Sequence, residues 1–120
     1  MKKLLVILPS DGTMYIPAPS RGVVAGMKAV YQTNSVEVGD TIIASRDTTA
    51  VNTITATDTA GLTIETGVRD VTNKDLVFDP DSTTDTETVI KLVANGAAGI
   101  AVVEIEFDDY AYIERAPSEA

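Results

Sequence analysis

The chain of 120 residues lacks histidine, cysteine and tryptophan altogether. The absence of histidine and cysteine excludes imidazole acid–base catalysis, thiol catalysis, disulfides and metal sites built on imidazole or thiolate. Basic residues are also scarce, because nine lysines and arginines stand against eighteen acidic residues and leave a net charge of −9. Nucleic-acid binding needs a basic surface that neutralises phosphates, so the composition argues against a nucleic-acid partner.

Long apolar runs are missing as well. The N-terminal run Leu4–Leu8 has five residues, against about 18 for a membrane span and about 7–15 for the core of a secretory leader. We therefore expect no membrane partner, and we interpret this run as a first β-strand and not as a leader.

The sequence is rich in β-branched residues, which favour strands. Valine, isoleucine and threonine contribute 14, 10 and 16 residues, a third of the chain, whereas leucine contributes 6. Short apolar runs alternate with turn clusters throughout. This pattern predicts an all-β fold, an antiparallel β-sandwich or jelly-roll-like barrel of about seven or eight short strands. We expect one domain over residues 1–114 and a flexible tail over 115–120.

The predicted strands cover residues 3–8, 23–32, 41–45, 50–57, 62–69, 87–94 and a last strand from Ile100. Alternation predicts that Ile90, Leu92, Val103, Ile105 and Phe107 point into the core, and that the threonines of strand 50–57 face water. In strand 62–69, Leu62, Ile64, Thr66 and Val68 share the face expected to be buried, and Thr63, Glu65 and Arg69 share the wet face. Gly26 indicates a bulge or a close backbone approach.

A proline-rich stretch over residues 9–22 interrupts this series. Because proline cannot donate a ladder hydrogen bond, Pro17 and Pro19 exclude a central strand. The stretch is either a crossing at a sheet edge or an extended arm that lies on a neighbouring subunit. Tyr110 and Tyr112 fall on the outward face of the last strand unless a bulge turns them inward. We take Ile16, Pro17, Pro19, Tyr110 and Tyr112 as candidate partner-interface residues, since exposed aromatic and apolar surface suits interfaces.

Acidic residues concentrate in the last third of the chain, where residues 79–120 carry ten acidic and two basic residues. Asp79, Asp81, Asp85 and Glu87 form a loop that is a weak candidate for Ca²⁺, which prefers several oxygen ligands from a flexible loop. The EF-hand spacing is not met, because Thr84 stands where the pattern needs glycine. A solvated acidic loop is the simpler interpretation, and we expect no cofactor.

Catalysis finds little support in the remaining motifs. Glu104 and Glu106 share one face of a strand, about 7 Å apart by strand rise, but an alternating outer face explains the pair. None of the serines lies in a Gly-x-Ser-x-Gly elbow, and no phosphate-binding glycine loop occurs. We therefore expect a protein that is not an enzyme.

Several segments together resemble a known group, the small β-sandwich decoration, or cement, proteins of tailed-phage capsids. The resemblance covers residues 14–109 and is carried by Ile16–Val24, Ala29–Val30, the Gly-Asp turn in Val38–Ile42, the threonine-rich Val51–Thr57 and the alternating Val102–Phe107. The N-terminal strand and the acidic loop depart from the simplest pattern.

The resemblance implies a non-enzymatic virion protein on the capsid exterior that binds the major capsid protein, ties neighbouring capsomers together and forms homo-oligomers, with a trimer favoured. An alternative function is a Ca²⁺-dependent carbohydrate-binding or adhesion module of a tail fibre or surface layer. The alternative predicts a melting temperature that rises with Ca²⁺, and the missing tryptophan counts against it because sugars stack on aromatic platforms.

Overall fold

The computed structural model describes residues 1–9, 12–32, 37–57, 63–95 and 100–109. These residues form two antiparallel sheets packed as a β-sandwich, which confirms the predicted all-β class. The strands are β1 (Lys2–Leu8), β2 (Thr13–Pro17), β3 (Gly22–Tyr31), β4 (Thr41–Arg46), β5 (Thr49–Thr55), β6 (Ile64–Thr66), β7 (Val68–Arg69), β8 (Val89–Asn95) and β9 (Ala101–Asp109). A short 3₁₀ helix, Asp85–Glu87, precedes β8.

The four-stranded sheet has the order β1-β9-β3-β6, and the five-stranded sheet has the order β2-β8-β4-β5-β7. The described residues thus contain nine strands, more than the predicted seven or eight. Thr13–Pro17 of the proline-rich stretch forms β2 at the edge of its sheet, where Pro17 needs no ladder partner on the outer side. In the described part of the chain, no helix is long and apolar enough to cross a membrane.

The core lies between the two sheets and follows the predicted alternation. Ile90, Leu92, Val103, Ile105 and Phe107 are all fully buried, and burial stabilises each such side chain by about 1.5–3 kcal/mol. Of the threonines predicted to face water, Thr55 and Thr57 are exposed and Thr53 is half-buried, while Ile54 between them is buried. The ladder between β3 and β9 shifts register between Val24 and Gly26, which confirms the predicted bulge.

The prediction for segment 62–69 is wrong because the face expected to be buried is exposed, and Glu65 of the face expected to be wet is buried. Glu65 is buried at 5% exposure, whereas Ile64 and Val68 are exposed at 65% and 72%. The buried carboxylate of Glu65 accepts hydrogen bonds from the backbone N–H and the hydroxyl of Thr57, both at 3.0 Å. These bonds offset the desolvation of the carboxylate, so the polar residue takes the inner position.

The same segment also divides into two strands, because the chain changes sheets at Gly67. Strand β6 pairs with β3 in one sheet, and β7 pairs with β5 in the other. Between them the Gly67 N–H donates to the Met27 carbonyl at 2.7 Å. A Cβ at position 67 would lie 2.0 Å from Asn52 Oδ1, so only glycine fits this crossing without displacing its neighbour.

Candidate functional site

One end of the sandwich brings together segments that are far apart in sequence. The Ala18 N–H donates to the Thr88 carbonyl at 2.9 Å, which joins the proline-rich stretch to the segment before β8. Gly22 pairs with Phe78 through two backbone hydrogen bonds and with Asp109 in the β3–β9 ladder. We call this region the acidic end and define it by Pro17–Pro19, Asp79–Glu87 and Asp108–Asp109.

The acidic loop of this region is built by its own hydrogen bonds. The Asp79 N–H donates to the Glu87 carbonyl at 2.8 Å and closes the loop. Asp79 Oδ1 accepts from the Asp81 N–H at 2.9 Å, and Glu87 Oε1 accepts from the Ser82 hydroxyl at 2.8 Å. Asp79 and Glu87 therefore shape the loop, while Asp81 and Asp85 are exposed to solvent.

These four acidic residues are the weak Ca²⁺ candidate of the sequence. Within the described ranges, no group of three or more histidine, cysteine, aspartate or glutamate side chains is arranged to hold a metal ion. The carboxylates instead form part of a negatively charged surface, to which Asp108 and Asp109 add two more charges. Lys2 Nζ offsets one of these charges, because it lies 3.3 Å from Asp109 Oδ2.

The candidate interface residues separate into three groups. Pro17 and Pro19 are exposed on either side of the buried Ala18, which anchors them. Ile16 is half-buried and packs against the core, so Tyr15, at 61% exposure, carries the outward surface of β2 in its place. Tyr110 and Tyr112 lie outside the described residues.

A second surface is not predicted by the sequence. The outer face of the four-stranded sheet carries an apolar row, defined by Ile7, Val102, Val30 and Ile64, one residue from each strand in register. Ile7 and Ile64 are each 65% exposed, and Leu5 and Ile100 flank the row at 73% and 50%. The signal available in the sequence is the unbroken apolar run of β1, which makes both faces of that strand apolar.

Comparison with known proteins gives no information on the function of these surfaces. No family model, curated protein or solved structure matches the chain. The two surfaces, one acidic and one apolar, are therefore the observations from which a function is inferred.

Tyr31, the last residue of strand β3, is a titratable residue of the hydrophobic core. Its side chain is 3% exposed, and within the described residues its hydroxyl has no hydrogen-bond partner. Burial, with the negative charges of Asp40 and Glu65, raises the pKa of Tyr31 from 10.0 to about 12. The folded protein therefore holds this phenolic proton more tightly than the unfolded chain does.

This shift predicts a loss of stability in alkali. The protonated Tyr31 contributes about 2–3 kcal/mol to the free energy of unfolding. This contribution is complete below about pH 10 and is lost as the pH rises from about 10 to about 12. We expect Tyr31→Phe to remove this part of the pH dependence, as measured by urea unfolding between about pH 8 and 11.5. Tyr15→Phe, at an exposed position, is the control, and identical alkaline profiles for the two variants would contradict the assignment.

Proposed function

We propose that this protein is a non-enzymatic structural protein of a tailed-phage virion, a decoration protein that binds the outer capsid surface and ties neighbouring capsomers together. The β-sandwich fold and the resemblance carried by residues 14–109 support this proposal. The observation that carries it is the acidic end, where two exposed prolines and a built loop of carboxylates, drawn from separate segments, form one surface.

The charge of the acidic end indicates the chemistry of the partner. Its carboxylates come from Asp79, Asp81, Asp85, Glu87 and Asp108–Asp109, and the overall charge of the chain is −9. Such a surface attracts a basic patch on the major capsid protein, and complementary charge steers association. It also repels packaged DNA, which is consistent with a position on the capsid exterior.

Each exposed ion pair contributes little, on the order of 0.2–1 kcal/mol. Attachment to a capsid nevertheless becomes firm when several copies bind as one oligomer, because each further contact forms within the same assembly. A homo-oligomer that presents several acidic ends to the capsid is therefore part of the proposal.

The test is binding to capsids that lack this protein, measured by co-sedimentation at low ionic strength. We expect the double variant Asp81→Asn with Asp85→Asn to bind about fivefold more weakly per copy, since two surface ion pairs of about 0.5 kcal/mol each are lost. Both side chains are exposed, so the fold remains intact. Binding of the original protein should itself weaken as salt is added.

A matched control is the double variant Glu37→Gln with Asp40→Asn, which also removes two negative charges, but at the opposite end of the sandwich. Asparagine at position 40 keeps an oxygen to accept the bond from the residue 37 N–H, which is 3.0 Å long. Unchanged capsid binding in the first variant, or an equal loss in both, would overturn the proposal.

A further inference from the structure

We infer that the outer face of the four-stranded sheet is a two-fold interface with a second copy of this chain. The inference goes beyond the proposed function and rests on a different surface. It starts from the apolar row, whose terminal members Ile7 and Ile64 lie on the two edge strands and are mostly exposed. Single exposed apolar residues are ordinary, but a contiguous row across a whole sheet indicates a covered surface.

The next row along the strands carries the charges that indicate which partner covers this face. It consists of Leu5, Glu104, Lys28 and Thr66, again one residue from each strand in register. Glu104 lies on β9 and Lys28 on β3, the two central strands of the sheet. A cation and an anion therefore stand side by side at the middle of the face.

A two-fold axis parallel to the strands, passing between β9 and β3, makes this face complementary to itself. The axis places each β9 opposite the partner's β3 while the rows stay aligned. Glu104 then meets the partner's Lys28, and by symmetry Lys28 meets the partner's Glu104. In the apolar row, Ile7 meets the partner's Ile64, and Val102 meets the partner's Val30.

Within one copy, the ion pairing of Glu104 and Lys28 is weak enough for both side chains to pair with a second copy. Glu104 Oε1 lies 3.9 Å from Lys3 Nζ, a long contact in which the lysine is 64% exposed. In the part of the chain that the structure describes, no carboxylate lies within ion-pair distance of Lys28. A second copy supplies Lys28 with a carboxylate partner that the described part of its own chain does not.

The size of the face sets the expected strength. With strands about 4.8 Å apart and rows about 6.7 Å apart, the two rows across all four strands cover about 260 Å² per copy. The outward residues further along β1, β3 and β9 extend the face to about 400 Å² per copy, the size of a weak, transient interface. Sheets that pack face to face lie about 10 Å apart, a distance that a lysine and a glutamate span together. We therefore expect a dimer that forms at micromolar protein concentration.

The decisive experiment is a charge-reversal series followed by sedimentation velocity from about 1 to 500 μM. Lys28→Glu and Glu104→Lys should each weaken dimerisation about tenfold or more, because like charges then face each other across the axis twice. An equimolar mixture of the two variants should recover dimers to within about threefold of the original affinity. In the mixed dimer both facing pairs again have opposite charge, which no effect on the folding of a single copy would produce.

The apolar row is tested with Ile64→Lys, which should abolish the dimer without lowering the melting temperature, since the side chain is mostly exposed. Val71→Lys is the matched control, because Val71 is 88% exposed in a turn outside this face. It should leave dimerisation unchanged.

Three results would overturn the inference: a monomer at every concentration, a trimer, or a dimer that is insensitive to Lys28, Glu104 and Ile64. The capsid-binding assay is separate, because its double variant changes only the acidic end. Unchanged capsid binding of the acidic-end variant, together with a dimer that responds to Lys28 and Glu104, would contradict the proposed function alone. Weakened capsid binding together with a dimer that is insensitive to Lys28, Glu104 and Ile64 would contradict this inference alone.

Discussion

Replacing Phe78 with alanine is expected to lower the free energy of unfolding by about 3–5 kcal/mol. The ring is fully buried and lies against Phe107, with 6.4 Å between the ring centroids. Phe78 comes from the long loop between β7 and β8, so its truncation leaves a cavity and also releases the loop from the core. Urea unfolding measures the change.

The matched control for this prediction is Tyr15→Ala, which truncates an aromatic ring on the exposed side of β2. We expect it to change the free energy of unfolding by less than about 1 kcal/mol. Phe78→Leu should lie between the two, because it keeps part of the buried volume. A cost of less than about 1 kcal/mol for Phe78→Ala would show that the ring is not a member of the core.

Gly22→Ala is the second large effect, with an expected cost of about 3 kcal/mol from overpacking. A Cβ at position 22 would lie 2.0 Å from the Asp108 carbonyl oxygen and 2.7 Å from Cε2 of Phe107. The first atom belongs to the backbone of a paired strand and cannot move aside without breaking the ladder. The two hydrogen bonds to Phe78, 2.9 and 2.7 Å long, would be weakened by the same shift.

Gly39→Ala separates steric clash from backbone strain. Gly39 has φ +99°, but nothing lies within 4 Å of a Cβ built there. We expect this variant to cost only about 1 kcal/mol, the strain of placing an L-residue at positive φ. Equal denaturation midpoints for Gly22→Ala and Gly39→Ala would contradict the close approach at Gly22.

The strands and the core are predictable because their signal is local. In β9, Val103, Ile105 and Phe107 alternate with Glu104 and Glu106, and burial follows the same period. The bulge at Gly26 is also predictable, since a glycine inside a strand pattern marks a bulge or a close backbone approach. Both conclusions use only neighbouring residues.

The position of Glu65 is not predictable from its neighbours. Its burial depends on two hydrogen bonds from Thr57 and on the change of sheet at Gly67, and neither is visible in an alternating pattern. A tertiary hydrogen bond thus overrides the local period. The exposed Ile64, which contributes to the apolar row, is the visible consequence.

The candidate surfaces are predictable in their parts but not in their arrangement. The prolines and the acidic loop are each recognisable in the sequence, but tertiary contacts such as the hydrogen bond between Ala18 and Thr88 are needed to place them together. The apolar row needs the register of four strands, which no single segment contains. Register is a property of pairs of strands, so it becomes visible only in the folded chain.

The position of β9 has a consequence for the order of folding. This strand lies between β1 and β3, and its ladder with β1 joins Lys2 to Phe107. During synthesis the first strand therefore waits, without its neighbour, until more than a hundred residues have been added. Closing so long a loop is entropically costly, and topologies of this kind fold on the order of milliseconds to seconds. Until then the apolar run of β1 is open to other chains, and a chaperone that covers it would protect the newly made protein from aggregation.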